Sequence, residues 1–499
     1  LSGSDKVMGV GLKKTFGVTL VSLAITLSAA FAEDNSELLR KLPVEGGKAL
    51  YISGANAKEF EEILIAPLAT LFQKNLFAAR VQRTLSENFS YSQLWLQASK
   101  DNERNYDIGN EGQIVSLTDG SSVAGSIVGF PFGLEENISK EEDPKKKGQK
   151  ILWNVSALPG MDPQQLHGIE VLWFGRKNIT RQASGLFMRE YLQGRVLNSA
   201  KTETAPELFL PKLGTPVEWR ELLQLLRPAV VFGYANLTYR YTGSAEDDFW
   251  TYSPVLGRSR KSLESNRSDP LLGGELSLND LQMFSDRASQ VAATVVAEKM
   301  ILSPFPQKIG LKLEPEALDD SGESLLTARG YYRNRSGQNA SVQWNAETGT
   351  FIGMPGWVPT TIQLVPRQVW VIELNPKDPF SSHGTEVLFV DQETFLPLYK
   401  VIYDRKGFFF RFVVASYNLI QSNDERLRFP VPSFILAIDR QSEKAQALEV
   451  QYVRKLNSES TLKKKIELLF DIREHDKRSP KKENSSGAEA NEPLEEPTE

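Results

Sequence analysis

Four runs decide the fold: Gln368-Val-Trp-Val-Ile-Glu-Leu374, Glu386-Val-Leu-Phe-Val390, Leu396-Pro-Leu-Tyr-Lys-Val-Ile-Tyr403 and Phe408-Phe-Phe-Arg-Phe-Val-Val-Ala-Ser-Tyr417. Each is dense in β-branched and aromatic residues, which favour a pleated, half-buried surface. Between them stand Asn375-Pro376, Asp391-Gln-Glu393 and Asp404-Arg-Lys-Gly407, residues that turn a chain rather than extend it. Strands joined by short turns pair in order, so the stretch predicts an antiparallel meander. In its last run Phe408, Phe410 and Phe412 fall on one face, and Phe409, Arg411 and Val413 on the other. With both faces partly apolar, such a sheet is covered on both sides, or covered on one and open to an apolar ligand on the other.

Upstream the same alternation recurs. Leu237, Tyr239 and Tyr241 share one side of a strand, a turn rich in Gly, Ser and Asp follows, and Phe249–Tyr252 returns; Val291–Ile301 is a further strand. Ser277 and Asp280 introduce a helical turn carrying Leu281 and Phe284. Nearer the N-terminus, Asn56 caps a helix over 56–77 with Phe60, Ile63, Leu64, Leu68, Leu71 and Phe72 at helical spacing and a kink at Pro67. Alternations such as Phe89 with Tyr91 and Leu94 with Leu96 then predict strands to about residue 130. Thr215-Pro-Val-Glu218 has the form of a capping box, starting an amphipathic helix lined by Trp219, Leu222, Leu223 and Leu226 that ends near Arg227-Pro228.

Both ends differ from the body. From Met8 the chain has the form of a secretory leader: Lys13 and Lys14, an uncharged stretch from Phe16 to Ala32, and small residues Ala30 and Ala32 around Phe31, with cleavage expected after Ala32. Residues 33–477 form the folded domain. Residues 135–150, with Glu141-Glu-Asp143 and the run Lys145-Lys-Lys147, read as a charged, solvated loop; residues 478–499, almost without apolar content, read as a disordered tail.

Of 499 residues, 40% are apolar and 24% charged, an ordinary globular composition. The net charge of −5 offers no basic field for nucleic acid. The absence of cysteine removes disulfide scaffolds, thiolate nucleophiles and thiolate metal sites together. Of the three histidines, His167 and His383 lie far apart and His475 adjoins the tail, so no local metal spacing exists and solvated loop histidines are expected. No Walker loop, G-x-S-x-G elbow or H-E-x-x-H is present. The adjacent acids Asp247 and Asp248 read as a solvated turn, since neighbouring strand residues face opposite ways and cannot flank one bond. No catalytic residue, metal ligand or cofactor is therefore assigned.

Several pieces, in order, resemble a bacterial family known as domain of unknown function 1329. They are Gly129-Phe-Pro-Phe132, Trp153-Asn154, Leu237-Thr-Tyr-Arg-Tyr241, Asp248-Phe-Trp-Thr-Tyr-Ser-Pro254, Gly257-Arg-Ser-Arg-Lys261, Asn266-Arg-Ser-Asp-Pro270, Arg367–Glu373, and Val390-Asp391 leading to Tyr403-Asp-Arg-Lys-Gly407. The resemblance implies an exported Gram-negative protein akin to the LolA and LolB lipoprotein carriers. It implies an α+β fold: a strongly curved antiparallel sheet, an open half-barrel, with helices plugging its concave apolar face. The expectation that follows is a periplasmic binding protein, not an enzyme, which carries a lipid, a lipoprotein acyl chain or another hydrophobic molecule towards the outer membrane. Tyr239, Tyr241, Phe249, Trp250, Tyr252, Phe408, Phe410 and Phe412 are its candidate lining; Arg258, Arg260, Lys261 and Arg267 are candidates for meeting lipid headgroups or a membrane transport complex. An envelope protein-binding module and an envelope glycan or lipid hydrolase are the alternatives.

Overall fold

A computed structural model describes residues 35–44, 50–85, 89–123, 127–158, 164–176, 178–192, 216–243, 245–316, 325–327, 343–345, 350–352, 355–359, 361–422, 428–455 and 467–477. The expected leader and tail lie outside them. The chain divides into two units, Leu1–Leu42 and Pro43–Glu499. Helix α1 (Asn35–Lys41) represents the first; all that follows concerns the second.

Thirteen strands form its main ladder: β1 (Gln164–Phe174), β2 (Ile179–Tyr191), β3 (Val217–Arg227), β4 (Ala235–Tyr241), β5 (Asp248–Ser253), β6 (Arg258–Ser262), β7 (Val291–Pro306), β8 (Ile362–Pro376), β9 (Glu386–Asp391), β10 (Pro397–Tyr403), β11 (Phe409–Ser422), β12 (Arg428–Asp439) and β13 (Ala445–Lys455). Strands β1 to β6 pair in sequence order, as do β7 to β13, always antiparallel. One long-range pairing, β13 with β1, joins the two meanders through Ala445 opposite Phe174 and Gln446 opposite Trp173. The spatial order is therefore 7-8-9-10-11-12-13-1-2-3-4-5-6. Short strands add parallel pairings, Ala79–Val81 on β8 and Leu311–Glu316 on β11, so the whole sheet is mixed. The edges β6 and β7 do not pair with each other: the sheet is unclosed.

Residues 263–290 must carry the chain from one edge to the other, and their contacts show how far the sheet bends. Asp280 meets Lys400 of β10 at 2.6 Å, while Ser285 receives Arg189 of β2 and Arg240 of β4 on its Oγ and carbonyl. Seven spacings of about 4.8 Å would part β4 from β10 by about 34 Å in a flat sheet. Ser285 Oγ donates to Leu281 O at 2.6 Å, so this piece of chain is coiled, about one helical turn long, and cannot span such a gap. The sheet curves around the segment, and the face that holds Thr238 and Arg240 is its inner one. In place of the expected helical plug, the described part of this segment offers short 3-10 turns and buried Leu271, Leu276, Leu278, Leu281, Met283 and Phe284. The turn read at Ser277 is among them: Ser277 donates through N and Oγ to Asp280 Oδ2 at 2.8 and 2.7 Å.

Four local expectations are corrected. The Thr215 helix is strand β3, paired on both sides; Trp219, Leu222 and Leu223 fit either period, and the neighbours β2 and β4 decide it. Thr215 itself lies outside the described residues. The charged insert is only in part a solvated loop: Glu135, Glu136, Lys140 and Glu142 are exposed, but residues 144–150 begin helix α4 (Pro144–Ala157), whose Asp143 accepts Lys145 N at 2.9 Å. Gly148 and Gln149 are buried because α4 lies on β7, close enough that a Cβ at Gly148 would stand 2.8 Å from Ala293 O, and Lys150 neutralises Glu141 at 2.7 Å. Helix α2 (Ala66–Gln73) follows a separate 3-10 stretch Ala57–Ile63, and Pro67 sits in its first turn, where it starts the helix rather than kinking it. Leu94 and Leu96 are exposed on helix α3 (Gln93–Asn102), which buries Trp95, Ser99 and Asn102 instead.

Candidate functional site

Alternation along β4 and β5 sends Leu237, Tyr239 and Tyr241, with Trp250 and Tyr252, to the face opposite the crossing segment. Leu186, Met188, Val217, Leu222 and Ala235 extend this apolar wall across β2 to β4. What covers it comes from the far end of the chain: Leu469, Phe470 and Ile472, the last opening helix α5 (Ile472–Lys477). The Tyr239 hydroxyl donates to Phe470 O, and Tyr241 donates to Asp248 Oδ2 at 2.9 Å. The Arg220 guanidinium lies 4.1 Å over the Phe470 ring and meets Glu467 at 2.6 Å. His475 Nε2 is 2.7 Å from Leu469 O, and its ring is 5.6 Å from Tyr252. Burial raises the phenol pKa of Tyr239, against the pull of Arg220, so it remains a donor.

The inner face of the same strands is ionic. Glu221 takes Arg189 at 2.6 Å and Arg267 at 3.2 Å; Asp247 takes Arg240 and Arg287, both at 2.7 Å. Arg189 and Arg240 each lie 4.4 Å from the centre of the Trp219 ring. Burial alone would push the Glu221 and Asp247 carboxyls up; their arginine partners outweigh it and hold both below the usual carboxylate range. Further along, Lys400 joins Asp280 and, at 3.6 Å, Glu386, whose other oxygen is 2.5 Å from His383 Nδ1. Arg411 stands 3.6 Å from Asp280.

The candidate lining is thus divided. Tyr239, Tyr241, Trp250 and Tyr252 come together on the apolar wall, but Phe249 points to the ionic face, 6.0 Å from Arg267. Phe412 is buried against Tyr399 at 5.7 Å, in a different part of the sheet. A bulge between Arg411 and Phe409 breaks the expected alternation and places Phe410 beside Arg411, while Phe408 closes the turn before β11 and is 63% exposed. Among the basic candidates Arg258, Arg260 and Lys261 are exposed, and Lys261 reaches Asp248 at 2.6 Å. Arg267 is corrected: it is fully buried, bound to Glu221, Thr238 and Asn279, and no headgroup can reach it. Asp247 and Asp248 are likewise buried by their cationic and hydroxyl partners rather than solvated. All three histidines are buried rather than solvated: His167 lies beside Leu281 of the crossing segment and is pushed down to about 4 by burial, His383 is held on Glu386, and His475, in the C-terminal segment itself, faces Tyr252.

Sequence reasoning missed the cover. The triplet Leu468-Leu-Phe470, standing just before the polar tail, was the only sign of it. Where the crossing segment meets β1, β2, β12 and β13, the cleft lined by His167, Phe187, Leu281, Pro432, Ile435 and Leu448 has a volume of about 10 Å³, room for one water. No group of metal-ligating side chains occurs among the described residues, and none of the described helices is long and apolar enough to cross a membrane.

No curated protein matches the sequence. Among solved structures, an outer membrane lipoprotein-sorting protein domain from Vibrio parahaemolyticus is 18% identical, covering 66% of this chain and all of its own, at a TM-score of 0.38. A DUF1329 family protein from Desulfovibrio piger is 13% identical over 66% of this chain and 98% of its own, at 0.40; a LolA superfamily protein from Nitrosomonas europaea is 12% identical over 62% and 94%, at 0.35. The family model described as protein of unknown function (DUF1329) matches residues 51–466, which take in all thirteen strands of the ladder, and the chain belongs to that family.

Proposed function

We propose that the chain is a periplasmic, non-enzymatic carrier or chaperone for a lipid, a lipoprotein acyl chain or another hydrophobic molecule, delivered towards the outer membrane. One observation carries the reading: the aromatic wall of β2 to β5 is covered by Leu469, Phe470 and Ile472, a short piece from the end of the chain, and not by the meander itself. An acyl chain offers that wall the same chemistry as those side chains. Each buried methylene gains about 0.8 kcal/mol, so the guest needs no fixed polar constellation to replace the cover. Tyr239, once Phe470 withdraws, is left with a hydroxyl for a carbonyl or ester of the guest. The hydrolase reading has less support, since four of the buried acids, Glu221, Asp247, Asp280 and Glu386, are each held against a cation or an imidazole, and Asp286, pushed up to about 6 by burial, is the acid it would have to use.

The test is mass spectrometry of the protein purified from its own cells, with titration of a fluorescent acyl probe. The expected outcome is a copurifying lipid or similar apolar molecule, tighter probe binding by Phe470→Ala, and weaker binding by Trp250→Ser. Absence of both lipid and probe binding ends the carrier reading; a stably copurifying protein in place of lipid would put the protein-binding module in its stead.

A further inference from the structure

Four large apolar side chains are left in solvent on two neighbouring turns. Val230 is 72% and Phe232 53% exposed in the β3–β4 turn; Val255 is 81% and Leu256 51% exposed in the β5–β6 turn. Because β3 to β6 alternate in direction, the two turns project from the same end of the sheet. The register fixes their base: Gln224 is opposite Ala235, Ala235 opposite Tyr252, and Tyr252 opposite Ser259. Two strand spacings, about 10 Å, separate the turn axes. Both tips are held in shape. Gly233 N donates to Leu225 O and Leu225 N to Tyr234 O, both at 2.9 Å, and Gly257 N donates to Ser253 O at 2.8 Å. Gly233 and Gly257 have φ of +82° and +57°, the left-handed conformation these turns require.

The charge around the tips is of one sign. Arg227 precedes the first tip, Arg258, Arg260 and Lys261 follow the second, and neither 227–234 nor 253–261 contains an acid, in a chain of net charge −5. Arg258 and Arg260 are exposed. Protection of the edge strand β6 from aggregation would account for its basic residues, but not for four exposed apolar ones beside them. We propose that this end of the sheet docks on an anionic phospholipid bilayer, with Val230, Phe232, Val255 and Leu256 entering the acyl boundary and Arg258 and Arg260 meeting headgroup phosphates. The docking surface is independent of the guest carried on the aromatic wall. It does place that wall near the membrane, since a Cβ on Gly233 of the first tip would lie 3.8 Å from the Tyr252 ring.

Vesicle flotation with the full chain tests this. Phosphatidylcholine vesicles containing 30% phosphatidylglycerol (~30 mol%, enough for a clear anionic surface) are the probe, and pure phosphatidylcholine is the reference. Expected are binding to the anionic vesicles that weakens with salt, about fivefold loss for Arg258→Gln and for Arg260→Gln, and loss of tenfold or more for the double variant Phe232→Ser with Val255→Ser. All four positions are exposed, so unchanged thermal unfolding of the variants shows that folding is not what is lost. Absence of binding to anionic vesicles, equal binding to neutral ones, or retention by the double variant overturns the proposal. So does a dimer in solution that Phe232→Ser dissolves. Failure of the acyl-probe experiment would leave flotation untouched, so the two readings fail separately.

Discussion

Strands β2 to β5 are covered twice, and the two coverings differ in kind. On the inner face the crossing segment is anchored at both ends, by β6 and β7, and fastened by Arg267 to Glu221, Arg287 to Asp247 and Asp280 to Lys400. On the outer face the C-terminal segment lays Leu469, Phe470 and Ile472 on the wall and adds a single ion pair, Glu467, 19% exposed, on Arg220, a cation that Glu190 of β2 already neutralises at 2.5 Å. Buried ion pairs demand one geometry: either partner left alone in a low dielectric is costly. Apolar contact demands only area, and another apolar surface can supply it. The inner cover therefore fixes the curvature of the sheet, and the outer one is exchangeable.

The largest effect should come from the inner face. Lys400→Met takes the ammonium from the buried Asp280 carboxylate and leaves it the two Ser277 hydrogen bonds and Arg411 at 3.6 Å, and a loss of about 3–5 kcal/mol is expected in urea unfolding. A loss below about 1 kcal/mol would break the comparison, because the crossing segment would then need no ionic fastening.

The same face should be sensitive to acid. His167, beside Leu281 of the crossing segment, titrates at about 4 when folded and near 6.5 when unfolded. Between those values the unfolded chain binds the extra proton, so stability falls as pH is lowered from 6.5 to 4 and is fully present above 6.5. The span of about 2.5 units corresponds to about 3 kcal/mol. His167→Gln should flatten this part of the difference curve between variant and parent; equal slopes would show that His167 does not hold the segment in its neutral form.

On the outer face, Phe470→Ala should behave otherwise. Phenylalanine-to-alanine changes in a core cost about 3–5 kcal/mol, but a terminal segment can lose no more than its own docking free energy. The global unfolding free energy in urea should fall little, by about 1 kcal/mol or less, while amide exchange rises sharply in 467–477. A global loss as large as that of Lys400→Met would make the C-terminal segment part of the core and withdraw its exchangeability.

What the sequence disclosed follows from the range of the interactions. The meander from β8 to β11 was legible because each strand pairs with its successor across a short turn, and the shared face of Leu237, Tyr239 and Tyr241 because alternation is a local property. The β13–β1 pairing was not, since it joins residues as distant as Ala445 and Phe174 with no periodic sign in either. Trp219, Leu222 and Leu223 satisfied two periods at once, and only pairing with β2 and β4 chose between them. The charged residues misled most. Arg267, Asp247 and Lys150 have the composition of a surface and the environment of a core, because their partners come from other strands and helices. Burial of a charge is decided by its counterion, which a one-dimensional pattern does not locate.

The smallest effect concerns a half-exposed cation beside the aromatic wall. Lys261 meets Asp248 at 2.6 Å and stands 5.6 Å over the Trp250 ring, but its own side chain is 49% exposed. Water and salt screen such a pair, and Asp248 keeps the Tyr241 hydroxyl at 2.9 Å when the ammonium is gone. Lys261→Gln should accordingly cost less than about 1 kcal/mol and leave the exchange protection of β4 and β5 unchanged. A cost of about 3 kcal/mol or more, typical of a broken buried pair, would mean that Asp248 depends on Lys261 as Asp280 depends on Lys400. Strands β4 to β6 would then be ion-fastened on the outer face as well as the inner, beside the Arg220–Glu190 pair, and the contrast between the two faces would rest on their covers alone.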